Sequence, residues 1–257
     1  KHVPAGMVFY VSARGNVTPP SLLDRRFLLE TDCPDTHADL GCKDSNALVH
    51  AQGSQGEFDW LMIVDDDAFV HYSNLQSLLS KQSGGIVGCG GCWDEHARCP
   101  LPNGTVTQGQ VGLCGGCGMA LHRTVVDDLI RVVGKGDPHN FINAWSDTKV
   151  TEYEDIHLGC FSEHWVNAAI TNRPDIMHGW ELHGDDLQGA VCSGAATFHY
   201  VKTREDFYGI ENMFQNADSI CPKKDSLLSL QQKYQKLISL DHIGVYKPGQ
   251  REPVYIF

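Results

Sequence analysis

Trp60-Leu61-Met62-Ile63-Val64-Asp65-Asp66-Asp67-Ala68-Phe69-Val70 is an apolar run that leads straight into three carboxylates, with a second apolar run behind them. An uninterrupted apolar run of this length suits a strand buried on both faces, the usual state in a parallel sheet. The acids then fall at its carboxyl end, where open α/β sheets bind ligands. Three adjacent negative charges repel one another, and the simplest offset is a divalent cation held by oxygen ligands. The plain alternative is a solvated acidic turn, and the apolar runs on both sides count against it. On an extended segment alternate side chains point the same way, so Asp65 and Asp67 can share a task while Asp66 faces elsewhere.

The rest of the chain is long enough to build a fold around that strand. Its 257 residues, 42% hydrophobic and 20% charged, are those of an ordinary globular α/β protein. A formal charge of −12 with no basic stripe argues against nucleic acid or an anionic membrane surface as partner. No apolar run is long enough to span a bilayer. Lys1-His2-Val3-Pro4 carries no signal peptide, so any membrane anchor is expected outside this sequence.

Ten cysteines, an even number, suit a disulfide framework in an oxidising compartment. The sequons Asn16-Val17-Thr18 and Asn103-Gly104-Thr105 agree with a lumenal or secreted location. Cys89-Gly-Gly-Cys92 and Cys114-Gly-Gly-Cys117 also have nearly zinc-ribbon spacing. Disulfides, a structural zinc and free thiols are therefore all open for these four.

Along the chain, Met7 to Val11 and Arg26 to Glu30 read as strands, and Cys33 and Cys42 enclose a polar loop. Ser45 to Gln52 is weakly helical. Ser73 can cap a helix with Leu75, Leu78 and Leu79 on one face. Gly84 to Gly91 reads as a strand, and Val126, Leu129, Ile130 and Val133 mark an amphipathic helix. Thr151-Glu152-Tyr153-Glu154 fits a capping box opening a further helix. Arg173 to Gly189 reads as loop, Cys192 to Tyr200 as extended, and the tail from Asp225 as a helix followed by a strand-like end. No internal repeat or linker appears, so one domain over 1–257 is expected.

Three more stretches carry chemistry. In Cys114-Gly115-Gly116-Cys117-Gly118 the glycines let backbone amides approach a ligand closely, although a Gly-rich strand edge is as common. In Glu154-Asp155-Ile156-His157-Leu158-Gly159 the acids can cap a helix or serve as a positioned general base. In Phe198-His199-Tyr200 the imidazole is either a packed core residue or a ligand that completes the acidic site.

Taken in this order, the stretches resemble the fringe-like β1,3-glycosyltransferases, including the core-1 galactosyltransferase branch. Trp60 to Val70 looks like the metal motif, and Gly115-Gly116-Cys117-Gly118 like the Gly-Gly-x-Gly segment. Glu154-Asp155 to Gly159 is similar to Glu-Asp-x-x-x-Gly, and Phe198-His199 to the late Phe-His. Cys33 to Lys43 looks like the short disulfide loop that precedes the metal strand. The similarity covers about residues 27 to 208.

The resemblance implies a single Rossmann-like glycosyltransferase type A domain, disulfide-stabilised, with a mostly parallel central sheet flanked by helices. Residues 1–110 would form the nucleotide-binding half, 111–208 the donor-sugar and acceptor half, and 209–257 an extension. It further implies a UDP-sugar donor, Mn²⁺ or another divalent cation, and a glycan or glycoprotein acceptor in the Golgi or ER lumen. A homodimer is compatible with it. Asp67, Asp65 and His199 would hold the metal, with Asp65 toward the ribose and Asp66 beside it. Asp155 would act as base with Glu154 as runner-up, and Gly115, Gly116, Cys117 and Gly118 would line the donor pocket. Only about 55 residues separate the first strand from the acids, short for this family, so no uridine contacts are assigned. The rival readings are a non-catalytic lectin- or chaperone-like relative and a zinc-stabilised interaction domain.

Overall fold

The computed structural model describes residues 10–13, 28–34, 36, 39–53, 58–147, 150 and 153–221. A first pair of parallel strands, β1 (Tyr10–Ala13) and β2 (Leu28–Thr31), leads into α1 (Leu40–Gly53). The main sheet has the order β3-β6-β5-β7, built from β3 (Trp60–Ile63), β5 (Ile86–Asp94), β6 (Gln110–His122) and β7 (Ile170–Asn172). A smaller sheet has the order β4-β9-β8, from β4 (Phe69–Val70), β8 (Met177–His178) and β9 (Thr197–Phe198). The helices between them are α2 (Tyr72–Leu79), α3 (Arg123–Val133), α4 (Pro138–Asp147), α5 (Glu154–His164), α6 (Gly184–Ser193), α7 (Arg204–Gln215) and α8 (Ala217–Ile220).

The sheet is mixed, which corrects the expectation of a mostly parallel one. β6 runs antiparallel to both β3 and β5, and only β5 and β7 pair in parallel. The apolar run reported burial, and burial does not fix direction. Leu61 and Ile63 pack toward the core that holds Leu113, Met119 and Leu121 of β6. Trp60 and Met62 pack on the opposite side, with Leu75, Leu78 and Leu79 of α2 and Ala120 of β6. Both faces of β3 and β6 are thus covered, by α1, α3, α4 and α5 on one side and α2 on the other.

Helix α3 forms where its i, i+3, i+4, i+7 pattern predicts, with Val126, Leu129, Ile130 and Val133 buried. Its N-cap is His122, whose Nδ1 accepts from the Thr124 N–H at 3.3 Å. The cap of α2 is His71 rather than Ser73, which lies inside the helix. The polar stretch Arg173 to Gly189 is not all loop: it contains β8 and the start of α6, where Leu187, Ala190 and Val191 pack inward. Thr151, the Asn16 sequon, the tail from Asp225 and most of Met7 to Val11 lie outside the described residues.

All ten cysteines are paired: 33–42, 89–117, 92–114, 99–160 and 192–221. The two CxxC units therefore cross-link β5 to β6, and no thiolate remains for zinc or for reactivity. This removes the zinc-domain reading.

One close approach sets the site. Helix α5 lies directly on β6, because Gly112 and Gly159 leave no side chain between them. A Cβ at Gly112 would sit 2.7 Å from Ile156 Cα, and one at Gly159 would sit 3.0 Å from Gly112 Cα. Gly112→Ala should therefore lower stability by about 1–3 kcal/mol, since backbone must shift to admit the methyl. Gly53→Ala, at a helix end with nothing within 4 Å, should be neutral or gain up to about 1 kcal/mol. Thermal unfolding followed by circular dichroism compares the two, and equal melting temperatures would contradict the packing argument.

Candidate functional site

The site forms where the chain changes sheets. Pairing of β3 with β6 stops at Ile63 opposite Met119, so Gly115 to Gly118 run on past the end of β3. The chain leaves at Val64, turns through the acids and enters the second sheet at Phe69. Such a switch between strands is where open α/β sheets hold ligands. The acids lie in a turn, with the Ala68 N–H donating to the Asp65 carbonyl at 3.2 Å. Asp65 and Asp67 come together through that turn rather than through strand alternation, and Asp66 stays exposed on its crown, apart from them.

β9 brings the third member. Phe69 is paired antiparallel with Phe198, which sets His199 beside the acidic turn. The Val201 N–H donates to the Asp67 carbonyl at 2.8 Å and fixes the contact. His199 Nε2 lies 3.1 Å from Asp67 Oδ1 and 3.6 Å from Asp65 Oδ2. Its Nδ1 lies 3.0 Å from the Gly179 carbonyl, a pairing in which Nδ1–H donates and Nε2 keeps its lone pair. That is the usual way a protein fixes the tautomer of a metal-binding imidazole. Ligand atoms of Asp65, Asp67 and His199 lie within 4.8 Å of one another, the one such group among the described residues. Two carboxylates and an imidazole suit a divalent ion of the Mn²⁺ kind.

The glycines of β6 are contact points. A Cβ on Gly116 would clash with the edge of the His199 ring at Nδ1 and Cε1, and one on Gly118, at φ +80°, would strike Met62. Gly115 meets the start of α5: its N–H donates to Asp155 Oδ2 at 2.6 Å, and a Cβ there would lie 3.2 Å from Glu154 Oε1. Asp155 Oδ1 accepts from the Ile156 N–H at 2.7 Å. Cys117 is fully buried in its disulfide, and its carbonyl accepts from Thr197 Oγ1 at 2.6 Å. The structure thus gathers Asp65, Asp67, His199, Gly115, Gly116, Glu154 and Asp155 around one strand edge, while the Cys117 side chain and Asp66 point elsewhere.

Asp44 of α1 joins them without having stood out in the sequence. Its Oδ2 is enclosed with no hydrogen-bond partner among the described residues. Burial first, then the charges of Glu154, Asp65 and Asp155, hold its carboxyl well above the usual range. The signal was its place on the stripe of Leu48 and Ala51, both buried on the same helix.

Burial, assisted by the neighbouring Asp155 charge, pushes Glu154 from 4.5 up to about 7. Burial raises Asp155 as well, opposed by the N–H groups of Gly115 and Ile156. A raised carboxyl binds its proton more tightly folded than unfolded. The contribution of Glu154 to stability therefore falls as pH rises from 4.5 to about 7 and stays lost above that. Glu154→Gln removes the titration. In EDTA at pH 7.5 the variant should be more stable than the parent, by at most about 3 kcal/mol, and the gap should close below pH 4.5. Denaturant unfolding at both pH values checks this; a less stable variant at pH 7.5 would mean that the Glu154 charge is paired.

Comparison with curated proteins finds no match. The model of the Fringe-like family matches residues 23–224, a span that holds every group described above. That span is more than three quarters of the 257 residues, and the chain belongs to the Fringe-like family.

Proposed function

We propose that the chain is an inverting glycosyltransferase. It moves a sugar from a UDP-sugar to a hydroxyl of a glycan or glycoprotein in a β1,3 linkage. The observation that carries this reading is His199 Nε2 at 3.1 Å from Asp67, beside the Glu154–Asp155 pair that rests on the next glycine of the same strand. Asp67 and His199 would hold Mn²⁺ or a similar cation, with Asp65 beside them and toward the ribose. When bound, that cation supplies positive charge against the leaving diphosphate.

The remaining roles fall to the chain's own groups. Asp155 has each oxygen tied to one backbone N–H, which leaves a lone pair on each and fixes the carboxylate in place. It takes the acceptor's hydroxyl proton as that oxygen bonds to the anomeric carbon and the bond to UDP breaks. One displacement with one base inverts the centre. Glu154, whose carboxyl burial pushes up to about 7, is the second candidate for base. The bare backbone of Gly115 to Gly118 lines the donor sugar pocket. Residues 1–110 would serve the nucleotide and 111–208 the donor sugar and acceptor.

Five disulfides support an oxidising lumen, of the ER or Golgi, as the place of work. So does Asn103, which sits exposed in a turn where its Oδ1 accepts from Thr105 Oγ1 at 2.7 Å, open to glycosylation. Among the described residues no helix is long and apolar enough to cross a membrane.

Two substitutions separate the roles. Asp67→Ala should abolish Mn²⁺-dependent UDP binding by calorimetry, and with it sugar transfer and UDP-sugar hydrolysis, while the melting temperature holds; unchanged activity would sink the assignment. Asp155→Asn should bind UDP with Mn²⁺ as the parent does but turn over roughly 100-fold or more slowly. Loss of nucleotide binding instead would make Asp155 a structural clasp.

A further inference from the structure

Tyr200 follows His199 with its backbone at φ +59°, in the left-handed region that a bulky L-residue rarely adopts. On an extended strand its ring would point away from the imidazole. Here it folds back and stacks on it, with ring centroids 3.9 Å apart and an interplanar angle of 29°. Backbone bonds on both sides hold this kink. The His199 N–H donates to the His178 carbonyl at 3.0 Å, and the Val201 N–H to the Asp67 carbonyl at 2.8 Å. Strain of this kind persists where its surroundings over-determine it, and it gathers at working sites.

The kink brings Lys202 to the site. Its ammonium lies 4.8 Å from the centroid of the Tyr200 ring, and the residue is exposed. His199, Tyr200 and Lys202 thus form a series in which each group rests on the next. The ammonium is no farther from the imidazole than those two distances together. An aromatic face holds an exposed cation more weakly than a phosphate oxygen does. A lysine side chain also turns about several bonds, so the charge can leave the ring for an anion beside His199.

The charge balance of the site calls for such a group. Asp65 and Asp67 match one divalent cation, and Glu154 and Asp155 stand close by at Gly115. A diphosphate entering there brings negative charge that the cation leaves unmatched, and like charge in one cleft opposes binding. We propose that Lys202, resting on Tyr200 in this structure, moves onto the diphosphate of the UDP-sugar and is its second counter-charge beside the metal. This rests on the glycosyltransferase reading above and adds to it a cationic donor contact, one that strengthens as charge builds on the departing UDP.

The test uses the full chain and calorimetry, first with UDP and Mn²⁺, then with Mn²⁺ alone. Lys202→Ala should raise the Kd for UDP about tenfold or more. The Kd for Mn²⁺ alone, and that for uridine measured by competition, should stay within about twofold, since neither ligand offers a phosphate. Lys202→Arg keeps the charge and should recover most of the UDP affinity. Added salt should weaken UDP binding to the parent more than to Lys202→Ala. An unchanged UDP Kd in Lys202→Ala overturns the counter-charge and leaves the glycosyltransferase reading intact. So does an equal loss of Mn²⁺ or uridine affinity, which would make the residue structural. A deficit in Lys202→Arg as deep as in Lys202→Ala, or the same salt dependence in parent and Lys202→Ala, overturns it too. A parent chain that neither binds UDP with Mn²⁺ nor hydrolyses any UDP-sugar fails the underlying reading, and the counter-charge falls with it.

Discussion

The N–H of Gly115 donates to Asp155 Oδ2 at 2.6 Å, and that bond needs α5 closer to β6 than any side chain would allow. Gly112 and Gly159 supply the clearance, backbone against backbone. Four residues along the strand from Gly112, Gly116 gives the same clearance to the His199 ring. One strand therefore receives a helix start on one residue and an imidazole on the next. Substituents on β6 would push the acids and the histidine apart by about the width of a methyl group. Catalytic constellations tolerate displacements of that size poorly.

That geometry concentrates like charge. Burial is the first cause of the upward shift for Asp44, Glu154 and Asp155, and the charge of Asp65 adds to all three. A fold selected for stability alone would replace Asp44 with an apolar residue of similar size. Its neighbours Leu48 and Ala51 show what that helix face otherwise contains. Perturbed carboxyls gathered in one cleft are the usual mark of a working site. The rest of the molecule carries this cost through a core covered on both faces of β3 and β6.

How much of this was legible in the sequence depended on whether a signal was local. The Trp60–Val64 run disclosed a strand enclosed on both sides, but strand direction depends on connections. The return from β5 through residues 95–109 makes an antiparallel hairpin of the two longest strands. Asp65 and Asp67 were separated correctly from Asp66, by the wrong device, since a turn rather than an extended strand unites them. Helix α6 was hidden by Gly184, Gly189 and two aspartates, although Leu187, Ala190 and Val191 kept helical spacing. The partnership of His199 with Gly179, and of Asp44 with the distant acids, needed chain segments tens to over a hundred residues apart to meet. No local pattern encodes that.

The paired CxxC units carry a further consequence for how the molecule is made. Cys89 stands opposite Cys114 in the β5–β6 register, yet it bonds Cys117, and Cys92 bonds Cys114. Four thiols on one hairpin admit three pairings, and the one formed ties both flanks of Gly115 and Gly116 to β5. Oxidation thus writes the strand register into covalent bonds, and a hairpin that slips before oxidation is locked in the wrong frame. Correct pairing of these four thiols and correct register of the hairpin are therefore a single requirement, and the placement of Gly115 and Gly116 beside Asp155 and His199 depends on both.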